Sequence, residues 1–177
     1  MRLATIMLIC APASRDSAAD TPEPSAEGFA WGRETNGLTS RIWSAEHQFK
    51  VGAPIPIWHA KKNVSKESMV VWRSAFWPNT RGFVFDHRGN EVTPTEAGRQ
   101  VIRAFSPGGE RAKNVAWTVE AGEEEPHVAV ELTRYFQLSQ SGLYSVQFLY
   151  EEYQEDALGM RAWRGQCWSN VLSFEVR

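Results

Sequence analysis

Chemistry in this chain would have to start from Cys167, in the stretch WRGQCWSN, residues 163–170. A thiol acts as a nucleophile only when a nearby base or positive charge lowers its pKa. None of the four histidines, His47, His59, His87 and His127, stands in a thiol-enzyme context around it. Parity counted back from Leu172, Phe174 and Val176 sets Cys167 on the opposite face of a terminal strand, unless a bulge at Ser169-Asn170 reverses it. The histidines show no H-x-x-x-H spacing, and no C-x-x-C is present, so no zinc set is defined. Gly108-Gly109 follows Pro107 and reads as a turn rather than a phosphate loop. Asn63-Val64-Ser65 is a short glycosylation sequon of little weight. Catalytic, cofactor-binding and metal residues are therefore all assigned as none, and the chain reads as a non-enzyme.

The acids are unevenly placed. Nine lie between Val119 and Asp156 against one base, Arg134. They concentrate in EAGEEEP, 120–126, and EEYQED, 151–156. Two strand passes separate these loops, so both should lie at one end of the domain. The arrangement suits a solvated face balanced by Lys61, Lys62 and Lys66. It also suits a weak calcium site, though no ligand spacing for one exists, or a basic partner.

The elements that would position these residues follow a period of two. Leu38, Ser40 and Ile42 share one face. Ile55 and Ile57 alternate with Pro54 and Pro56, which marks an edge strand or a strand start. KKNVSKES, 61–68, reads as a polar loop. GFVFDHRGNEV, 82–92, is a hairpin signal. Val128, Val130 and Leu132 alternate, as do Tyr144, Val146, Phe148 and Tyr150. One segment departs from this rhythm. Thr93, Pro94 and Glu96 form a capping pattern, and Ala97, Val101 and Phe105 then share a helical face, against an irregular strand as the alternative. Gly98 weakens that helix. The pattern predicts an all-β fold: a two-sheet antiparallel sandwich of about seven or eight strands, with one short helix over 94–105.

LSQSGLYSV, 138–146, resembles the Ser-Gly-x-Tyr-x-Cys stretch that opens strand F of immunoglobulin domains. Ser141, Gly142 and Tyr144 match it, and Val146 replaces the cysteine. The closer likeness is to a bacterial secreted immunoglobulin-like or fibronectin-III-like module. This resemblance implies that Tyr144 forms a corner, its hydroxyl returning to the backbone near 137–140. It implies no activity, since such folds carry many functions.

Residues 1–19 carry one Arg, an apolar run from Leu3 to Ile9 and small residues with Ala11-Pro12-Ala13 and Ser17-Ala18-Ala19 as cleavage candidates. That is a secretory signal pattern, which implies a secreted or periplasmic protein. Cys10 would leave with it, and Ile9 before it is too large for a lipoprotein signal. Asp20 to Gly28 is Pro-, Glu- and Ser-rich, so 20–30 reads as a flexible leader, and deletion of Met1 to Gly28 should leave the fold intact. The domain should run over 31–177. The formal net charge of −2 excludes a phosphate-backbone binder, and no later run reaches the ~18 apolar residues of a membrane span. The expected role is a non-catalytic binding or structural module whose partner is another protein or a polysaccharide. A carbohydrate-binding module using exposed tryptophans and a protease inhibitor using the 107–109 loop are the alternatives. No cofactor is implied.

Overall fold

The computed structural model describes residues 24–73, 79–104, 115–153 and 159–177. The expected signal segment, 1–19, lies outside them, as do Phe105, the Pro107-Gly108-Gly109 loop and the acids Glu155 and Asp156. Among the described residues the fold is built from strands and one α-helix.

Three strands make one sheet. Strand β1 (Leu38–Trp43) pairs antiparallel with β3 (Pro56–Asn63), which pairs antiparallel with β7 (Val128–Glu131). β3 is therefore central in its sheet. It tolerates proline because Pro56 is its first residue, where no ladder bond is lost. A second sheet is ordered β2–β10–β8–β5, from Gln48–Phe49, Leu172–Val176, Gly142–Glu152 and Thr80–Asp86. Strand β9 (Gly165–Trp168) also pairs with β8. A two-stranded third sheet joins β4 (Met69–Arg73) to β6 (Val115–Val119). Two expectations need correction. The strands fall into three sheets rather than two, and β2 lies parallel to β10. Short strands such as β2 carry too few residues for periodicity to reveal their direction.

The main apolar cluster draws on both larger sheets, including Ile42, Ile57 and Val130 from one and Val84, Val146, Phe148 and Phe174 from the other. A smaller cluster joins Leu38, Met69, Val71, Tyr150, Trp163 and Cys167. His59 of the first sheet meets Phe148 of the second edge to face, at 5.5 Å.

The helix forms over Glu96–Ala104, but its cap is two residues later than Thr93. The Gly98 N–H donates to Thr95 Oγ1 at 3.1 Å, and Arg99 N–H donates to the Thr95 carbonyl at 2.9 Å. Thr93 stays outside the helix, since a residue before proline is disfavoured in helix, and its carbonyl accepts from Gln137 N–H. Ala97 and Val101 pack on the main cluster.

The expected hairpin closes as Asp86 N–H donates to the Asn90 carbonyl and Val92 N–H to the Val84 carbonyl. Asp86 Oδ1 accepts from the backbone N–H of Arg88 and Asn90. Those bonds, led by the one from the Asn90 side chain to Oδ2, hold the Asp86 carboxyl below its ordinary range.

The polar loop assigned to 61–68 begins too early. Lys61, Lys62 and Asn63 complete β3, and Lys61 and Asn63 are buried. Asn63 spends its amide on the carbonyls of Glu67 and Val119, so the sequon asparagine is enclosed. The leader also differs from expectation. From Pro24 on, it lies against the domain: Ala26 and Phe29 pack on Trp43 and Trp58. The carbonyls of Pro24 and Ala26 accept from Trp43 Nε1–H and Arg41 Nη1.

Candidate functional site

The side chains with chemical potential gather in two places. One is the interior between the β1–β3 pair and β8. The other is the outer face of β1 and β3.

The interior set follows from strand parity. Ile57, His59, Lys61 and Asn63 share the inward face of β3. Tyr144, Val146, Phe148, Tyr150 and Glu152 share that of β8. The apolar residues at one end of both strands force the polar ones at the other end to be buried too. Each is then partnered. Ser40 Oγ and His59 Nε2 are 2.8 Å apart. Lys61 Nζ meets Glu125 Oε1 at 3.0 Å and stands 3.8 Å from the Tyr150 ring centre. Asn79 donates to Glu152 through its side chain. Burial, reinforced by Lys61 and then His127, holds His59 well below its usual pKa, so the imidazole is neutral. Burial, then the carboxylates of Glu152 and Glu125, pushes the Tyr150 phenol well above its ordinary value.

That last effect also locates the acidic loops. Glu125 of the first and Glu152, the last residue of β8, both lie close enough to act on Tyr150, and 154–156 of the second fall outside the described residues. Glu125 and Glu152 are buried there, whereas Glu120 and Glu123 are exposed. Glu124 bonds Arg41 at 2.9 Å and lies near Lys62 and His127. Glu124 and Glu125 of the first loop are thus turned onto bases of β1 and β3, while Glu120 accepts from Ser68 Oγ. No group of three or more His, Cys, Asp or Glu side chains able to hold a metal is found among the described residues.

Cys167 is fully buried in the smaller cluster, its Sγ 3.6 Å from the Leu38 carbonyl. Burial pushes its pKa up to about 12, the reverse of what a nucleophile needs. Its inward position reveals a bulge. Tyr150 pairs with Cys167 while Val146 pairs with Leu172, so four steps along β8 face five along its partner. Ser169 fills the extra place: Phe148 N–H donates to its Oγ at 2.9 Å, and its own N–H donates to the Phe148 carbonyl. The next residue, Asn170, crosses to the other sheet. It accepts from Ile42 N–H at 2.7 Å and donates to the Ile42 carbonyl at 3.0 Å.

The second place was not legible as a site in the sequence. Trp43 and Trp58 are cross-strand partners on the outer face of β1–β3, stacked at 6.5 Å with 23° between their planes. The Arg41 guanidinium sits 4.2 Å from the centre of the Trp31 ring and 5.3 Å from that of Trp43. Residues 24–31 lie over this face. The other tryptophans scatter: Trp163 is buried, Trp72 is half-buried on β4, Trp117 and Trp168 are exposed on different strands, and Trp77 is outside the described residues. Trp168 lies 5.3 Å from Phe83, with 39° between the rings. An open cleft of about 440 Å³ lies between Ser65, Glu67, Arg161, Trp163 and Arg164. Its arginines and Glu67 oppose each other in sign, and no set of groups converges within it.

No protein-family model and no curated protein sequence matches the chain. Among solved structures, 78% of the chain aligns with 16% of a β-glucosidase from Listeria innocua in complex with glucose, at 15% identity and a TM-score of 0.35. The chain thus spans less than a fifth of that enzyme. It also aligns over 84% of its length with 96% of AvmM, which catalyses macrocyclization in alchivemycin A biosynthesis, at 12% identity and a TM-score of 0.35. Similarity this low carries no argument about activity. No helix among the described residues is long and apolar enough to cross a membrane.

Proposed function

We propose that this chain is a non-catalytic, secreted or periplasmic binding module, with its two larger sheets forming an immunoglobulin-like β-sandwich. The tyrosine corner supports the sandwich reading: Tyr144 donates its hydroxyl to the Gln140 carbonyl at 2.8 Å. The observation that carries the functional reading is the state of the reactive groups. Ser40, His59, Lys61 and Cys167 are all buried and directed at interior partners. A catalytic set needs an open position beside its nucleophile. The partner is another protein or a polysaccharide.

The test is chemical. The folded protein is incubated with a fluorophosphonate and, separately, with iodoacetamide, and its intact mass is read. No adduct is expected on Ser40 or Cys167 until denaturant is added. Labelling of either in the folded state would replace this reading with a catalytic one. A carbohydrate-binding module would rely on Trp168 and Phe83, whose tilt offers no flat platform for a sugar ring. Saturable retention on a polysaccharide column, lost in Trp168→Ala, would favour it.

A further inference from the structure

The second sheet ends at β5, and the direction of that strand's backbone groups follows from its neighbours. Glu151 N–H donates to the Asn79 carbonyl, so odd-numbered residues of this stretch face β8. The Val84 carbonyl accepts from Val92 N–H, and Asp86 N–H donates to the Asn90 carbonyl, so even-numbered ones face away from it. The chain covers this edge only as far as the hairpin arm reaches. Beyond Val92 it turns off: Pro94, which has no N–H to donate, bridges to Phe136, and Thr95 N–H donates to the Tyr135 carbonyl. The N–H and C=O groups of Thr80 and Gly82 therefore point to an uncovered edge, and no hydrogen bond to them is found among the described residues. Both residues are half-buried rather than enclosed. Beside them an apolar slot of about 20 Å³ separates Gly82 from Pro94, Val101, Ile102, Tyr135 and Phe136.

We propose that the β5 edge at 80–82 is a strand-addition site for an extended, acidic peptide of a partner protein, lying beside the Glu96–Ala104 helix and continuing the row begun by Asn90 to Val92. The proposal rests on the binding-module reading and gives that module a partner class. Three observations select the occupant. Open backbone donors and acceptors at alternate residues read an extended main chain. Gly82 carries no side chain, so a partner side chain directed inward there meets the slot, which has room for about one methyl-sized group. Side chains directed outward meet arginines. Arg81 flanks the edge on the outer face, 4.6 Å from the centre of the Phe83 ring, and Arg99 and Arg103 on the solvent side of the helix share the carboxylate of Glu96. This rim carries an excess of positive charge, which a peptide with carboxylates at its outward positions balances.

The full chain is titrated with the peptide acetyl-Glu-Val-Glu-Ala-Glu-Val-Glu-amide, which sets small apolar side chains and carboxylates on alternate faces. The backbone N–H signals of Thr80 and Gly82 are followed by NMR. Saturable shifts are expected, with slowed hydrogen exchange at Gly82. Altered peptides then test the mode of binding without disturbing the protein. In an antiparallel addition the Val and Ala nitrogens of the peptide face β5. Their N-methylation should weaken binding about tenfold or more, whereas N-methylation of the Glu nitrogens leaves it nearly unchanged. Replacing every Glu of the peptide by Lys should weaken binding by a similar factor. No saturation at peptide concentrations on the order of millimolar, equal losses from the two methylated sets, or a Lys peptide that binds as well overturns the proposal. Concentration-dependent protection of Gly82 without peptide assigns the edge to a second copy of the chain and also overturns it. Such a failure with clean reagent labelling leaves the binding-module reading intact, whereas labelling of Ser40 or Cys167 removes both.

Discussion

Tyr144 and His59 show how single residues are committed by their surroundings. Tyr144 is buried, and its hydroxyl closes a local bond to Gln140. Tyr144→Phe leaves that carbonyl short of a donor, so we expect a loss of about 1 kcal/mol, read as a lower urea midpoint with unchanged slope. His59 is held neutral, its pKa depressed by burial below the ordinary 6.5. The unfolded chain therefore takes up a proton near pH 6.5 that the folded chain refuses. Stability is full above that pH and falls as the pH drops below it, by up to about 1.4 kcal/mol per unit until the folded-state pKa is reached. His59→Gln keeps a hydrogen-bonding group beside Ser40 and removes the titration. Its stability should change less between pH 6.5 and 5 than the wild type's. Equal slopes would mean that His59 is accessible to protons in the fold.

At the scale of elements, the helix is placed by a glycine that is unfavourable to helix formation. A Cβ at Gly98 would lie 2.2 Å from the Tyr135 carbonyl oxygen. Propensity alone predicts that Gly98→Ala stabilises by up to about 1 kcal/mol. The close approach reverses the sign, because the Glu96–Ala104 helix must move off the turn at 132–135 and disturb Ala97 and Val101 in the core. We expect net destabilisation of about 1–3 kcal/mol by thermal or urea unfolding, with Gln100→Ala on the exposed side near neutral. A stabilised Gly98→Ala protein would show that the helix packs more loosely than described. The same logic explains the bulge at Ser169, which trades one ladder step for a hydroxyl contact and sends Asn170 across to Ile42.

At the scale of the whole molecule, the two larger sheets meet through apolar side chains at one end, while at the other the Lys61 ammonium, held by Glu125 beside β3, lies over the Tyr150 ring of the second sheet. Lys61 and Glu125 come from distant parts of the chain and are both nearly excluded from solvent. Removing one member leaves an uncompensated buried charge, so Lys61→Met should cost about 3–5 kcal/mol. The double change Lys61→Met and Glu125→Leu should recover much of that loss, because the apolar replacement no longer desolvates an ion. A cycle of urea denaturation curves measures the coupling. Additive single changes would mean that the pair is hydrated in solution.

The sequence by itself determined what local order determines. Alternation marked strands near 38–43 and 172–176 and passes at 127–136 and 143–150, the first of which ends at Glu131, where Leu132–Arg134 form a 3-10 turn. Turn chemistry marked Asp86 to Gly89, and the capping pattern marked the helix to within two residues. The Ser-Gly-x-Tyr stretch located the corner. These signals survive because they depend on neighbours two to four residues away. The alternation of Ile55 and Ile57 continues through His59, Lys61 and Asn63 in the structure, whereas the polarity of 61–68 read as a loop. Only the tertiary structure decided between them, since a buried lysine is tolerable only where a carboxylate such as that of Glu125 arrives from elsewhere in the chain. It likewise decided that Cys167 faces the core, through one bulged residue, and that the proline-containing leader lies over the outer face of β1 and β3. A one-residue slip and a pairing between distant segments leave no periodic trace. They exist only once the sheets are stacked and each buried polar group must find its partner.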